Sequence, residues 1–543
     1  MQLPPIRVES GDTGPATIRG HLQALREAIF ARRPILGEIM AKHGEKTLHR
    51  YSKDFMDANP SPLLDARKHE LIGIVQNLLT DRLGVHIAQR VARQLQKLPL
   101  VSTTDHHALI QHPFFLNANI ISAVPYLEYA DPDVRYLVVF SFAGISMNNA
   151  SGFPRGLLFH GGLNGSGNVI RLPLFPDRTK MSTVYSMRAF TREDIDRMEK
   201  ELMRRERMGE ISPERGKRVR ELISSCIATS EVLEEKDFQS QITQMNFHLW
   251  PKLFHAPGHD PHSLLSSFLS QKVPSLVYLE IETLVKELLL REHFHRKDSL
   301  LHRLIFDPAM RSLVLRHFDG LPGAFSQSGQ SGTYLFWALD PQGHRVRLMV
   351  EGNTLRSFDG AYCFDLTPEA IAEALERKQI FPGMLLSYLT ISLYYGMKCL
   401  GGFCQVHDLT MVKQAWMKLL SEIGERDEAD AVIPVQTKEL GGDGLTVAYF
   451  ETIQKTLVPA MGMDMVLDET DTTFEKYVDL AKKVTLSEAM QPLLPEIYSV
   501  LYTAQERDPA LSLLKPEDIL HATGLEEKFF EGGATKELTM LHA

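Results

Sequence analysis

Leu98–Ser146 reads LPLVSTTDHHALIQHPFFLNANIISAVPYLEYADPDVRYLVVFSFAGIS. Two short runs, LPLVSTT and VRYLVVFSFAGIS, are rich in β-branched and apolar residues and end in polar or Gly/Pro clusters, which predicts strands. The second is almost wholly apolar, as a strand covered on both faces must be. Between them FFLNANIISAVPYLEYADPD is long enough for a crossover helix. Strand, helix and apolar strand in that order predict a βαβ unit and an α/β fold.

Outward from this unit the pattern changes. Residues 15 to 97 place apolar residues at helical spacing, with Ala58–Leu64 as a break. Downstream, GLLFHGGLNGSGNVIRLPLF predicts a hairpin around a glycine-rich turn. The charged stretch from Thr191 predicts a helical hairpin. Thr191 with Asp194 forms a capping box, and Ser212-Pro213-Glu214 starts the second arm. Helix is then expected to about Leu315. Asp340-Pro341-Gln342-Gly343 has the residues of a tight hairpin turn, and Thr367-Pro368-Glu369 starts another helix. A helix is expected from Gly383 to Leu400, a last strand at AVIPVQT (Ala431–Thr437), and helix beyond Phe450. The expected organisation is a helical region 1–97, a first core part 98–190, a charged helical insertion 191–249, a second core part 250–450 and a helical region 451–543.

The chain has 543 residues, a length that suits about two to four domains. Its formal charge of −9 argues against general nucleic-acid binding, which needs a basic surface. Four cysteines without CxxC spacing indicate neither a zinc ribbon nor a disulfide framework and fit a reducing, cytoplasmic setting. No apolar run is long enough for a membrane span, and the N-terminus lacks a secretory pattern.

Chemistry concentrates after the first strand. Asp105, His106, His107 and His112 are expected at its carboxyl end, where open α/β sheets collect ligands. Imidazole and carboxylate there suit a divalent metal bound through Asp105, His106 and His107. They equally suit phosphate at the following helix N-terminus, with Thr104 and Asn117 beside it, or a polar turn with a helix cap. Asn148, Asn149 and Arg155 follow the second strand and would orient substrate, since Arg grips carboxylate or phosphate. Arg178, Lys180, Ser182 and Thr183 form a loop able to hold phosphate. His255, His259, Asp260 and His262 lie in a Pro/Gly-rich segment and read as a surface loop. Cys399 and Cys404 read as small buried residues.

Three resemblances attach to these motifs. Thr-Thr-Asp-His-His at a strand end resembles the DHH phosphoesterase superfamily, which implies a manganese pair and phosphodiester hydrolysis. Lys180-Met181-Ser182 resembles the Lys-Met-Ser loop of class I aminoacyl-tRNA synthetases, which implies contact with ATP phosphates. LVSTTDHHALIQHPFFLNANI, the late hairpin with its Thr-Pro-Glu helix, and IFPGMLLSYLTISLYYGMKCLGGFCQVHDLTMVKQAW together resemble in plan the BshC family of bacillithiol synthesis. Where that family has Gly-Gln-Gln, this chain has Asp105-His106-His107. This third resemblance implies a Rossmann-like nucleotide-binding core and a ligase or transferase joining a small carboxylate- or amine-bearing substrate, with ATP and Mg²⁺. The alternatives are a metal-dependent hydrolase and a non-catalytic scaffold whose helical arms, 191–225 and the C-terminus, make a homo-oligomer.

Overall fold

A computed structural model describes residues 15–129, 131, 133–161, 169–254, 273–451, 457–467, 473–531 and 535–537. Helices Pro15–Arg32, Pro34–His43, Pro62–Leu83 and Val85–Lys97 lead into strand β1, Leu100–Ser102. Helix Pro113–Ala123 then crosses to β2, Tyr136–Ser141. Its start is set by Pro113 at the first helical position and by His112, whose Nδ1 accepts the Phe114 N–H at 3.3 Å. The chain next forms an antiparallel hairpin, β3 (Gly156–His160) with β4 (Val169–Pro173). The charged helices Arg192–Arg207 and Pro213–Leu222 follow, then helix Phe238–Leu249 and strand β5, Ser275–Glu280.

The second half carries β6 (Phe336–Leu339) and β7 (Arg345–Arg347), joined by the Asp340–Gly343 turn. A small meander follows: β8 (Met349–Glu351), β9 (Thr354–Arg356) and β10 (Cys363–Asp365). Helix Pro368–Glu376 starts at Thr367, whose side chain accepts the Ala370 N–H. Strand β11 (Ile380–Pro382) pairs with β6, and β12 (Lys398–Leu400) returns to the centre. Helix Gln405–Glu422 leaves from there. No described helix is long and apolar enough to cross a membrane.

The centre is a four-stranded sheet in the order β12-β1-β2-β5, with every pairing parallel. It separates two cores, and strand alternation decides which residue joins which. Leu137 and Val139 of β2 face one core with Leu100, Leu276, Tyr278 and Leu400. Tyr136, Val138 and Phe140 face the other with Val101, Val277, Leu279 and Cys399. The first core takes in helix Pro113–Ala123, the β3–β4 hairpin, the charged helices and the helices near the C-terminus. The second takes in helices Pro62–Leu83 and Val85–Lys97 and the β6 hairpin. With apolar neighbours on both sides, β2 is buried along its whole length.

Several expectations change. The run Gly383–Leu400 is not one helix. Met384–Tyr388 is α-helical, Leu389–Tyr394 widens into π-helical turns, and the chain reverses at Gly396 to enter β12. Gly396 has φ of 71°, and a Cβ there would sit 2.8 Å from Leu64 Cβ, so only glycine suits the reversal. Strand β5 lies where continuous helix is expected. Its apolar run flows directly into helix Ile281–Leu288, so periodicity does not mark the junction. AVIPVQT is not a strand: helix Arg426–Val432 enters it and irregular chain follows. Beyond Phe450 the chain is not wholly helical, since Tyr449–Glu451 pairs with Leu457–Pro459 and Thr535–Glu537.

One buried ion pair fastens the second core to the sheet. Arg82, in the last turn of helix Pro62–Leu83, donates to both oxygens of Glu280 at 2.5 Å each. Both side chains are buried. Burial opposes the Glu280 charge, but the guanidinium beside it holds the carboxyl down to about 2. Removing one partner of such a pair strands the other charge, so Arg82→Met should destabilise the protein by about 3–5 kcal/mol in chemical denaturation. The double variant Arg82→Met with Glu280→Met should recover most of that loss.

Candidate functional site at the sheet edge

The chain progresses from β1 through β2 to β5 on one side, then returns to place β12 on the other side of β1. The direction of the sheet order therefore reverses between β1 and β12, and a crevice at the carboxyl ends of strands opens at such a reversal. From β1 the chain delivers Thr103, Thr104 and Asp105 to this edge. From β12 it delivers Gly401-Gly402 and the start of helix Gln405–Glu422. Gln405 Nε2 donates to Thr103 Oγ1 at 2.5 Å, and the Thr103 N–H donates to the Leu400 carbonyl at 3.0 Å. A Cβ on Gly402 would lie 2.7 Å from Asp443 Cβ, so glycine lets that carboxyl approach the turn.

Asp105 is fully buried and accepts from Thr104 Oγ1 and Asn119 Nδ2, each at 2.6 Å, and from the Tyr278 hydroxyl. Burial outweighs these bonds and pushes its carboxyl up to about 6. At the end of β2, Glu282 accepts the N–H groups of Ala143 (2.9 Å) and Gly144 (2.7 Å), while burial raises it to about 7. Asp443 is raised to about 8 by burial, then by the charges of Glu496 and Asp105, and its Oδ1 has no hydrogen-bond partner. Asp408, in the first turn of helix Gln405–Glu422, is raised by burial to about 6 against the pull of Arg33, and its Oδ1 is also unpartnered. Burial thus raises four carboxyls along the carboxyl ends of the strands toward the range in which general acids and bases work at neutral pH. Arg33 reaches the same edge. It makes no ion pair among the described residues; its guanidinium donates to the Arg32 carbonyl at 3.3 Å and to Cys404 Sγ at 4.0 Å.

The residues expected from the sequence divide into groups. Thr104 and Asp105 stand at the crevice. The side chains beside them turn elsewhere. His106 Nδ1 is hydrogen-bonded to Asn149 Oδ1 at 2.9 Å, with its ring against the edge of Phe115. His107 is fully buried, bonded through Nδ1 to Ser141 Oγ at 2.7 Å and through Nε2 to the Gln239 carbonyl at 2.9 Å. Burial lowers both imidazoles, His106 to about 4, which favours the neutral rings. His112 is the helix cap, lowered by burial to about 4. Asn117 is committed to structure: its Oδ1 accepts from the Val447 and Ala448 N–H groups and its Nδ2 donates to Pro113. Among the described residues no group of three or more His, Cys, Asp or Glu side chains is placed to hold a metal ion.

Asn148, Asn149, Arg155, Lys180 and Ser182 form a neighbourhood of their own. The Asn148 N–H donates to the Lys180 carbonyl at 3.0 Å. Asp177 accepts from both Arg155 and Lys180, and these two cations hold it down to about 2. Ser182 Oγ donates to the Gln342 carbonyl at 2.7 Å, on the β6–β7 turn. Burial pushes the Cys399 thiol up to about 12 and the Cys404 thiol up to about 11, which disfavours the reactive thiolate at both. His255, His259, Asp260, His262 and most of the glycine-rich turn lie outside the described residues. Sequence reasoning missed Arg33, Glu282, Asp408 and Asp443. The one local signal was Gly401-Gly402 followed by an amphipathic helix, which reads as a helix stop unless β12 is recognised.

Because the folded-state affinity of Asp443 for its proton exceeds the unfolded value, its favourable contribution is complete below about pH 4 and is lost as pH rises through about 8. Asp443→Asn should therefore raise thermal stability relative to the parent protein more at pH 8.5 than at pH 5. Equal shifts at both values would show that the carboxyl carries no such proton. A scan against protein-family models gives no match, and a search of curated proteins gives none either.

Proposed function

We propose that this chain is a nucleotide-dependent enzyme, a ligase or transferase that activates or joins a small carboxylate- or amine-bearing metabolite. The observation that carries the reading is the convergence of Asp105, Gly401-Gly402, Asp408, Asp443 and Arg33 where the sheet order reverses. We read that order as the first half of a Rossmann-like sheet, whose ligand crevice would lie between its first and fourth strands. The candidate cofactor is ATP with Mg²⁺. Its phosphates would lie on the N–H groups at the start of helix Gln405–Glu422, with Thr104 beside them and the Arg33 guanidinium as counter-charge. ATP would supply the leaving group that activates a carboxylate.

The chain's own residues handle protons and position. Gln405 ties the Thr103 turn to the Gly401-Gly402 turn, so both sides of the crevice move as one piece. Asp443, raised to about 8, enters the crevice protonated at neutral pH and can give a proton. Glu282, raised to about 7, can accept or return one. Asn119 and Tyr278 orient Asp105 from behind.

Calorimetry and thermal shift with ATP and Mg²⁺ test the reading. At a free nucleotide concentration about a hundredfold above Kd, binding should add about 2.7 kcal/mol of stability. Gly402→Ala, which drives a Cβ into Asp443, and Arg33→Ala should each reduce that gain. No heat and no shift with ATP, ADP or GTP in the presence of Mg²⁺ would refute it.

A further inference from the structure

A groove of about 640 Å³ lies away from the sheet edge, between the Thr179–Arg188 segment and the β6–β7 turn. Its size falls in the range of about 300–1,000 Å³ typical of small-molecule sites. The two sides differ in chemistry. Pro341, Tyr362 and Phe364 present apolar and aromatic surface, while Arg188 and Lys378 present positive charge; Asp340 also lines the groove, its carboxylate taken up by the Gln342 and His344 N–H groups and the His344 ring. Ser182 and Ser186 lie along the wall, their hydroxyls donating to the Gln342 and Gly343 carbonyls, so the wall is braced on the turn.

Lys378 is the informative residue. It follows helix Pro368–Glu376 with φ of 52°, the left-handed position where helices usually place glycine. A lysine there carries a backbone cost that glycine would avoid. Its ammonium lies 5.5 Å from the centre of the Tyr185 ring. Its carboxylate partner is Asp237, whose Oδ2 lies 3.5 Å away, longer than a normal charge-assisted hydrogen bond, while Asp237 Oδ1 accepts from Ser240. The Lys378 side chain is 43% exposed, so its ammonium also faces the open groove. Arg188 is anchored by Asp194 at 2.7 and 3.0 Å, yet more than half of its side chain is exposed.

We propose that this groove binds a small organic anion: a carboxylate, sulfonate or phosphate on a flat apolar body. The anionic group meets Lys378 and Arg188, and the body lies on Tyr362 and Phe364. The ammonium of Lys378 with the aromatic wall favours such an anion over a neutral polar ligand.

The aromatic sulfonate 8-anilinonaphthalene-1-sulfonate and its uncharged relative N-phenyl-1-naphthylamine serve as probes, followed by fluorescence titration of the full chain. The parent protein should bind the sulfonate saturably at one site. Lys378→Gly should weaken sulfonate binding about tenfold, the loss of one charge-assisted contact, and leave the neutral dye unaffected. Because glycine suits the left-handed position, the same variant should melt at the parent temperature or above it. Phe364→Ser should weaken both dyes. Unsaturable sulfonate binding, Lys378→Gly binding like the parent, an equal loss of both dyes in Lys378→Gly, or a lower melting temperature in that variant would each overturn the proposal.

Discussion

A strand sealed on both faces leaves its polar business to its ends. Every side chain of β2 is buried, alternating between the two cores. No water reaches the middle of such a strand, so charge and hydrogen-bonding capacity must be settled where the backbone leaves the sheet. At the carboxyl end β2 passes into Ala143 and Gly144, whose N–H groups are taken by Glu282. Beside it β5 ends in Glu280, neutralised by Arg82. The ion pair and the carboxylate cap are two answers to one constraint, and both require residues that arrive from distant parts of the chain.

The same constraint separates structural polar groups from candidate functional ones. His107 has both ring nitrogens satisfied. Thr243 and Asn246, buried on helix Phe238–Leu249, are bonded to backbone groups. Asn117 binds two N–H groups and a carbonyl. Buried polar atoms without a protein partner occur at several places among the described residues, including Asn119 Oδ1, Gln239 Oε1 and Tyr334 Oη; four of them, Arg33 Nε, His407 Nδ1, Asp408 Oδ1 and Asp443 Oδ1, lie around β12 and its helix. Most buried polar atoms in native proteins are paired, and ordered water or a ligand can complete the bonding of such groups. Those four fall at the reversal of the sheet order.

The βαβ unit was legible because β1 and β2 are bounded by Pro, Gly and Asp and because β2 has no polar face. The late hairpin was legible through its turn residues. Strands β5 and β12 were not. β5 runs into a helix without a break in hydrophobicity, and only Pro274 announces it. β12 is three residues long and follows an apolar helix from which composition does not distinguish it. Losing β12 hid the site as well, since Gly401-Gly402 takes on meaning only as the exit of a sheet strand. Asp105 could be placed from its own strand. Glu282, Asp443 and Arg33 could not, because their roles come from long-range packing that no local pattern records.

A layer of packed aromatic side chains lies between the edge and the groove. The ammonium of Lys378 lies over Tyr185, and the Tyr185 ring packs on Phe381 with centroids 5.2 Å apart. Phe381 lies so close to Gly144 that a Cβ there would approach its ring to 2.7 Å. The Gly144 N–H in turn donates to Glu282. The Tyr185 hydroxyl is buried without a partner, so this aromatic layer is held by packing rather than by a hydrogen bond from that hydroxyl. A close-packed layer transmits displacement because it has no void to absorb it. Lys378, Tyr185, Phe381, Gly144 and Glu282 thus form one contiguous run of contacts from the groove to the end of β2.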